Sequence, residues 1–340
     1  MPDNHTELLP LRTLPAPHRI LDSQRAHHNR HIAVVGATGY IGSAVLAHLT
    51  TLGVRCTAVV RQPNLLANSL AHSTLRIATA DLDDPTSLRR ALNGADTIIH
   101  TASYIGPDPT LCEKTNIVGT QHIVEAAAEL GIQNIVYIST VGVYGLGPHT
   151  NTAEDTLTPS PVTAASAAKL AAEGAIQCAG GVVIRPAFVH GREPSPFFTG
   201  LAAITTNLGS WVDNGSARVS VISVDDLASA VAAVALHHDF PAGRTFHVAH
   251  PDPVTIHDLI HLLAHRGMTI APTTNLTFDD ATELATTRGI PARLIDLIGR
   301  DHWYDPTRIW SITDLSPTRI QSIRNRPEPT RTANQSTTRD

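Results

Sequence analysis

The sequence predicts an α/β protein with a doubly wound parallel sheet and a small C-terminal substrate lobe. Short apolar runs alternate with helical stretches, as in parallel sheets whose two faces are covered by helices. The first apolar run leads directly into a glycine-rich turn that opens a helix. Beyond about residue 190 the pattern becomes shorter and less regular, which indicates a separate lobe.

The individual elements follow from their hydrophobic patterns. Strands are predicted where apolar residues run together, and helices where they recur at helical spacing. The predicted strands are His31–Val35, Arg55–Val60, Leu75–Ala80, Asp96–Ile99, Asn134–Ser139 and Gly181–Arg185. The predicted helices are Ser43–Leu52, Pro85–Leu92, Asn116–Leu130 and Thr163–Ala179. Because helices connect successive strands, the strands are expected to lie parallel in one sheet.

Composition divides the chain into four segments. Residues 1–30 are rich in Pro, His and polar residues without apolar periodicity, which predicts a flexible arm. Residues 31–190 form the predicted sheet domain. Residues 191–323 form the C-terminal lobe, with some elements of the first domain interleaved. Residues 324–340 lack a core pattern and are predicted to be a disordered tail.

Charge and cysteine usage exclude several classes of function. The formal net charge is −5 and no dense basic patch is visible, which argues against a nucleic-acid-binding protein. We expect no secretory signal and no transmembrane helix, because no long apolar run is present. The three cysteines are far apart and suggest neither a metal site nor disulfides, which suits the reducing cytoplasm. The arm histidines lack acidic or cysteine partners, so no metal site is predicted.

The turn at 36–42, with the sequence Gly-Ala-Thr-Gly-Tyr-Ile-Gly, is the strongest functional signal. Its first glycine permits a tight turn, the middle one lets backbone approach a pyrophosphate, and the third allows close packing of helix on strand. The pyrophosphate would lie at the positive N-terminus of the helix. The turn therefore predicts a Rossmann domain that binds a nicotinamide dinucleotide; a tight turn without ligand is the alternative. The expected contacts are Gly36, Thr38, Gly39, Tyr40, Ile41 and Gly42.

The residue that follows the second predicted strand bears on the choice of cofactor. An acidic residue there would bind the ribose hydroxyls of NAD. This sequence has Arg61 instead, and arginine suits the oxygens of a 2′-phosphate. The sequence therefore favours NADP(H), with NAD(H) as the alternative. A solvated residue at the strand end is the other interpretation of Arg61.

Taken in order, the later motifs resemble the extended short-chain dehydrogenase/reductase family, which includes NAD-dependent epimerases and dehydratases. The resemblance covers about residues 31–250 and is carried by the glycine turn and by residues 100–103, 116–120, 137–145 and 185–191. It implies contacts to the adenine, the adenosine ribose and the nicotinamide. The implied positions are Asp81 and Leu82 after the third strand, Thr101 and Ala102 after the fourth, and Pro186 and Val189 after the sixth.

The same resemblance implies a catalytic helix after the fifth strand. The family uses a Tyr-x-x-x-Lys pair, in which Lys lowers the Tyr pKa and holds the nicotinamide ribose while Tyr exchanges a proton with the substrate oxygen. Here Lys169 occupies the Lys position and Thr140 the accompanying hydroxyl position, but the residue four before Lys169 is Ala165. Because alanine carries no proton, another group must act in a redox reaction. The candidates are Thr140, Tyr144, Asp155 and His190. For Tyr144 and His190, a structural role is the alternative.

We therefore expect a cytoplasmic, NADP(H)-dependent, oxidoreductase-like enzyme with a non-standard proton donor. Its expected partner is a small organic substrate such as a ketone, sugar or specialised metabolite. We expect it to bind neither nucleic acid nor a membrane. A dimer is common in the family that it resembles, so a homodimer is an expected assembly. Two alternatives stay open: a non-redox isomerase, lyase or cyclase on the same scaffold, and a non-catalytic dinucleotide sensor.

Overall fold

The computed structural model describes residues 30–62, 74–191 and 195–318. The predicted tail and all of the predicted arm except residue 30 lie outside these residues, so both stay predictions. Among the described helices, none combines the length and the apolar character that crossing a membrane requires.

The described residues contain strands and α-helices, each numbered in chain order. The strands are β1 His31–Val35, β2 Arg55–Val60, β3 Leu75–Thr79, β4 Thr97–His100, β5 Asn134–Ile138, β6 His149–Thr152, β7 Val182–Pro186, β8 Phe188–His190, β9 Trp211–Val212, β10 Arg218–Val219, β11 Val221–Ser223, β12 Thr245–Val248, β13 Val254–Thr255, β14 Asn275–Leu276 and β15 His302–Tyr304. The helices are α1 Tyr40–Thr51, α2 Pro85–Leu92, α3 Pro109–Cys112, α4 Gly119–Leu130, α5 Ala164–Cys178, α6 Pro196–Leu208, α7 Val224–Leu236, α8 Ile256–His265, α9 Phe278–Thr287, α10 Ala292–Gly299 and α11 Thr307–Thr313.

Seven strands form the predicted doubly wound parallel sheet, in the order β12-β7-β5-β4-β1-β2-β3. The chain runs outward from β1 to β3 and then returns to β4 on the other side of β1, which creates a topological switch point. Val35 at the end of β1 pairs with Val59 and His100, and Val60 pairs with Thr79. The carboxyl ends of β1 to β4 therefore lie along one edge of the sheet.

The predicted elements of the sheet region are confirmed, with ends that differ by at most three residues. Helix α1 begins at Tyr40 instead of Ser43, because Gly39 in the glycine turn is itself the N-cap residue. The helix predicted from Asn116 begins instead with a π-helical turn over Glu113–Val118 and continues as α4. Within this turn the buried Asn116 side chain accepts the N–H of Tyr104 and donates to its carbonyl oxygen, both at 2.8 Å.

The chain forms two compact units whose segments interleave along the sequence. The first contains the described residues up to Ile138, together with Ala171–Val183 and Val231–Arg244. The second contains Ser139–Leu170, Ile184–Ala230 and the described residues from Thr245 onward.

Each unit has its own hydrophobic core. In the first, side chains of α2 and α4 pack on the sheet strands; this core includes Leu88, Leu92, Ile98, Ile123 and Ile135. In the second, helices α6, α8 and α10 contribute most of the large side chains; this core includes Phe198, Leu201, Leu259, Leu263, Ile295 and Ile298. Few of these side chains are aromatic, as expected for a chain in which aromatic residues make up 4%.

Candidate functional site

The glycine turn after β1 contains two glycines that the fold itself requires. Gly36 has a φ of +82°, and a Cβ there would lie 2.6 Å from the backbone nitrogen of Ala102. A Cβ on Gly42 would overlap the Gly36 carbonyl oxygen and lie 2.6 Å from Thr101 Oγ1. Any side chain at either position would therefore force the backbone of the turn to move.

Gly39 differs from these two glycines, because an added Cβ there would make one tight contact instead of overlapping its neighbours. It is exposed, and a Cβ would come near only the Gly36 carbonyl oxygen, at 3.3 Å. Its φ of −74° and ψ of 168° describe extended backbone that any residue adopts. The fold alone therefore gives little reason for glycine at this position, whereas a ligand that approaches the backbone does.

The N-terminus of α1 has the properties of an anion site. In the described part of the chain no side chain caps it, and its first turn carries no acidic residue. The first N–H groups of this helix thus point outward beside the open space at Gly39. A diphosphate fits this arrangement in charge and in hydrogen-bonding character.

Neighbouring hydrogen bonds hold the glycine turn in shape. Thr101 Oγ1 donates to the carbonyl oxygens of Val35 at 2.8 Å and Gly36 at 3.2 Å. The Gly39 N–H donates to the Gly36 carbonyl oxygen at 2.9 Å. Thr38 is exposed in the turn, and Tyr40 and Ile41 are half-buried in the first turn of α1. The turn is therefore preorganised, and its backbone needs no rearrangement to receive a ligand.

The other cofactor candidates of the first unit lie along the same edge of the sheet. Arg61 is exposed immediately after β2, and Asp81 is exposed shortly after β3. Leu82 is buried, and its carbonyl oxygen lies 2.6 Å from His122 Nδ1. Ala102 follows β4 and packs against Gly36. The structure thus brings the residues predicted for the adenosine half of a dinucleotide to the edge that carries the glycine turn.

Replacing Gly42 with alanine is expected to lower the free energy of unfolding by about 2–4 kcal/mol, because the added methyl group would overlap the Gly36 carbonyl oxygen. Urea unfolding of the purified variant measures this loss. Gly174→Ala is the matched control, since Gly174 lies in a helix with no neighbour near the added carbon. That control is expected to match or slightly exceed the wild type. A Gly42→Ala protein as stable as the wild type would contradict the steric argument.

Thr140 and Lys169 lie in the second unit. Thr140 follows β5 and caps the 3-10 turn Val141–Tyr144, where its Oγ1 accepts the Gly142 N–H at 3.0 Å. Lys169 is buried in α5, and Ala165 lies one turn earlier on the same helix. Helix α5 therefore presents a lysine and a methyl group at the positions where the resemblance leads us to look for Lys and Tyr.

Ser166 is a site residue that the sequence analysis did not single out. A Cβ placed on Gly142 would lie 3.1 Å from Ser166 Oγ and 3.3 Å from Thr140 Oγ1. The two hydroxyl groups therefore flank one point beside the turn that follows β5. The available signal was the spacing of three between Ser166 and Lys169, which places both residues on neighbouring turns of one helix face.

Tyr144 lies in a buried polar network of the second unit. Its hydroxyl oxygen accepts Arg185 Nη1 at 2.7 Å and lies 2.6 Å from His247 Nε2 and 3.3 Å from the Glu154 carbonyl oxygen. The Arg185 guanidinium also lies 5.0 Å from the centre of the Tyr144 ring. Tyr144 is only 2% exposed. This placement corrects its candidacy as the proton donor, because protein groups already surround the hydroxyl.

Burial sets the protonation states of this network. It lowers the pKa of His247 to about 4, helped by the nearby Arg185 guanidinium. Burial also raises the pKa of Glu154. The backbone N–H of His247 donates to Glu154 Oε1 at 2.9 Å, and this hydrogen bond opposes the rise. His247 is therefore neutral near pH 7, and the fold depends on that neutral form.

Pro186, Val189 and His190 lie together on the segment formed by β7 and β8. Pro186 is the buried last residue of β7, and Val189 pairs with Ile222 of β11. His190 is half-buried and stacks on Phe198 at a ring distance of 5.5 Å. The exposed Asp155 pairs with Arg308. Among the described residues no cluster of three His, Cys, Asp or Glu side chains could hold a metal ion.

Comparison with known proteins decides the family. Residues 32–249 match the model of the NAD dependent epimerase/dehydratase family, which covers more than half of the chain. The chain belongs to this family. The match spans the glycine turn of the first unit and the segments of the second unit that carry Thr140, Lys169 and His190, so it confirms the resemblance to the extended short-chain dehydrogenases/reductases.

Several relatives of this family member are reductases. It is 27% identical over 262 residues to the 4-hydroxy-2-methyl-3-oxo-4-farnesyl-3,4-dihydroquinoline-1-oxide ketoreductase of Stigmatella aurantiaca. The matched stretch covers 74% of this chain and 78% of that protein. It is 33% identical over 124 residues to cinnamoyl-CoA reductase 1 of Petunia hybrida, which covers 35% of this chain. The matched stretch spans only 37% of the length of that plant reductase.

Solved structures show that the fold is the one found in this family. The crystal structure of gox2253 matches with a TM-score of 0.70 at 23% identity, and covers 85% of this chain and 94% of that one. The UDP-glucuronic acid 4-epimerase of Bacillus cereus, solved in complex with NAD, matches with a TM-score of 0.67 at 20% identity over 86% of this chain and 95% of its own. These likenesses confirm the Rossmann-like architecture.

Proposed function

We propose that this family member is an NADP(H)-dependent oxidoreductase that acts on a small organic substrate bearing a carbonyl or hydroxyl group. The observation that carries the proposal is Gly39, an exposed glycine in extended backbone, beside the N-terminus of α1 that no side chain caps. A dinucleotide pyrophosphate accounts for both features. Family membership and the two reductase relatives support a hydride-transfer reaction.

The first unit supplies the groups that would hold the adenosine half of the cofactor. The backbone of the glycine turn would bind the pyrophosphate, Thr101 and Ala102 would contact the ribose, and Asp81 and Leu82 would contact the adenine. When bound, the nicotinamide donates or accepts a hydride. The exposed Arg61, which directly follows β2, supports the 2′-phosphorylated form, because a guanidinium suits phosphate oxygens and the next residue, Gln62, is not acidic.

Replacing Arg61 with alanine is expected to weaken NADPH binding by about 10- to 100-fold, since a charge-assisted phosphate contact is lost. NADH binding is expected to change by less than about twofold, because NADH lacks that phosphate. Calorimetric titration measures both affinities. Arg55→Ala is the matched control: Arg55 is also an exposed arginine of β2, but it lies at the opposite end of the strand. Equal losses for the two cofactors would remove the assignment of Arg61 to the 2′-phosphate.

The second unit supplies the groups proposed for catalysis. Thr140 uses Oγ1 as an acceptor for the Gly142 N–H, which leaves its own hydrogen for a substrate oxygen. Lys169 is proposed to hold the nicotinamide ribose, as its family position implies, and His190 is a candidate proton donor. Ala165 has no proton to give, and this observation favours a second candidate function, a non-redox isomerisation or elimination with the cofactor retained.

Titration with NADPH and NADH, followed by a panel of aldehydes and ketones, tests the proposal. We expect micromolar NADPH binding, tighter than that of NADH, and a fall in NADPH absorbance with at least one carbonyl compound. Conversion of a substrate without a change in cofactor absorbance would favour the non-redox reaction. Cofactor binding without any conversion would favour a dinucleotide sensor. Failure to bind either cofactor would overturn the proposal.

A further inference from the structure

We propose that the hydroxyl groups of Thr140 and Ser166 form a donor pair that binds one oxygen atom of the substrate. The pair takes the place of the hydroxyl group that Ala165 lacks. This inference rests on the proposed function, because it assigns the oxygen-binding subsite of that reaction. The ligand is a carbonyl oxygen, or the alkoxide oxygen that develops from it.

The convergence of the two oxygen atoms is the first argument. Both lie within 3.3 Å of the point that a Cβ on Gly142 would occupy. The two oxygens therefore border the same space beside Gly142, and a ligand oxygen placed between them, in van der Waals contact with the glycine, would accept from both hydroxyl groups. Glycine at 142 keeps this space clear, because a methyl group there would crowd both oxygens.

The second argument is that each hydroxyl oxygen already accepts a hydrogen bond. Thr140 Oγ1 accepts the Gly142 N–H at 3.0 Å, and Ser166 Oγ accepts Thr163 Oγ1 at 3.0 Å. Within the described ranges, neither hydroxyl group donates its own hydrogen to a protein acceptor. Two O–H donors are therefore left for a ligand, on oxygen atoms that the protein already holds in place.

The position of Ser166 on α5 is the third argument. Its backbone N–H donates to Thr163 Oγ1 at 3.1 Å, so Thr163 binds both the backbone and the side chain of Ser166 and positions it. Lys169 follows three residues later, on the next turn of the same helix face. Ser166 is therefore held in place by Thr163 on the helix that also carries Lys169.

A chemical test of the convergence needs no substrate. In a Cys178→Ser background, which removes the exposed native thiol, Thr140→Cys and Ser166→Cys are combined and treated with phenylarsine oxide, a reagent that bridges two adjacent thiols. We expect the combined variant to retain one equivalent against excess monothiol, as measured by intact mass, and neither single variant to do so. Thr140→Cys with Ala167→Cys is the matched control, because Ala167 is the next residue of α5 and is exposed. Retention by neither pair, or by both, would overturn the proposal.

A kinetic test uses the carbonyl compound that the wild-type protein reduces fastest in the panel. Ser166→Ala is expected to lower kcat about tenfold with less than about a twofold change in KM, because the lost donor acts mainly on the developing alkoxide. Ala165→Tyr is introduced both into that background and into the wild type, because a tyrosine at 165 can raise kcat by itself. The donor pair predicts a larger gain in the Ser166→Ala background, whereas a merely structural role for Ser166 predicts equal gains in both.

The two tests separate failure of the subsite from failure of the proposed function. NADPH affinity, measured by calorimetry, is expected to be the same in Ser166→Ala and in the wild type. Unchanged kcat in Ser166→Ala would overturn the donor pair while leaving the oxidoreductase proposal intact. Absence of NADPH binding in the wild type would instead remove the proposed function, and the arsenical result would still decide whether the two side chains converge.

Discussion

Replacing Gly39 with valine is expected to lower the affinity for NADPH by at least about 100-fold, which corresponds to about 2.7 kcal/mol. The branched side chain would fill the open space beside the N-terminus of α1, where the pyrophosphate is proposed to approach the backbone. The fold should tolerate the change, because Gly39 is exposed and its extended backbone suits any residue. The free energy of unfolding is therefore expected to fall by about 1–2 kcal/mol, because valine is a poorer N-cap residue than glycine.

Two measurements on one preparation test this expectation, a calorimetric titration with NADPH and a urea unfolding curve. Gly174→Val is the control, since Gly174 is an exposed helix residue with open space around it and lies outside the turn. NADPH affinity should be unchanged in this control. If Gly39→Val bound NADPH as tightly as the wild type, the assignment of the pyrophosphate to this turn would be wrong. The contrast with Gly42→Ala, which should unfold readily, separates the glycine needed by the ligand from one needed by the fold.

Acidification from pH 7 to pH 4 is expected to lower the free energy of unfolding by about 3 kcal/mol through His247 alone. Burial, aided by the Arg185 guanidinium, lowers the pKa of His247 to about 4 in the folded protein. An unfolded histidine titrates near 6.5. The stabilisation is therefore fully present above about pH 6.5, and it is lost as the pH falls towards 4, since the unfolded chain takes up the proton first.

Urea unfolding at a series of pH values measures this loss. His247→Gln should flatten the decline between pH 6.5 and 4, although the variant starts from lower stability because Tyr144 loses its imidazole neighbour. The exposed His238 provides the control, and His238→Gln should follow the wild-type curve. A residual slope is expected from His149, whose pKa burial and the neighbouring His302 also lower. Identical slopes for His247→Gln and the wild type would contradict the assigned cause.

The sheet could be predicted from the sequence because its signals are local. The strand His31–Val35 is an unbroken apolar run, and the glycine turn that ends it is contiguous. The ends of elements were harder to predict: the helix expected from Asn116 begins with a π-helical turn, in which the Asn116 side chain binds the Tyr104 backbone. In the second unit, strands such as Trp211–Val212 are two residues long, too short for any periodicity to show.

The residues of the candidate site could likewise be predicted only where they are close together in the sequence. Contacts to the cofactor could be predicted where they come from one continuous turn, as at Gly36 to Gly42. The environment of Tyr144 could not, because Arg185 and His247 lie 41 and 103 residues away in the chain. Ser166 could not be predicted from the family pattern, because it precedes Lys169 by three residues and the family's proton donor precedes its lysine by four. Only the folded turn at Gly142 brings its hydroxyl group to Thr140.

The network around Tyr144 also restricts how this chain can change over evolutionary time. The Tyr144 hydroxyl group makes hydrogen bonds with the guanidinium of Arg185, the imidazole of His247 and the backbone carbonyl group of Glu154. Phenylalanine at 144 would take this partner from two buried polar side chains at once, so its effect depends on which residues stand at 185 and 247. These positions are therefore epistatic: a substitution tolerated in one background is harmful in another. Among homologous chains they are expected to covary as a set, although they lie on separate elements of the second unit.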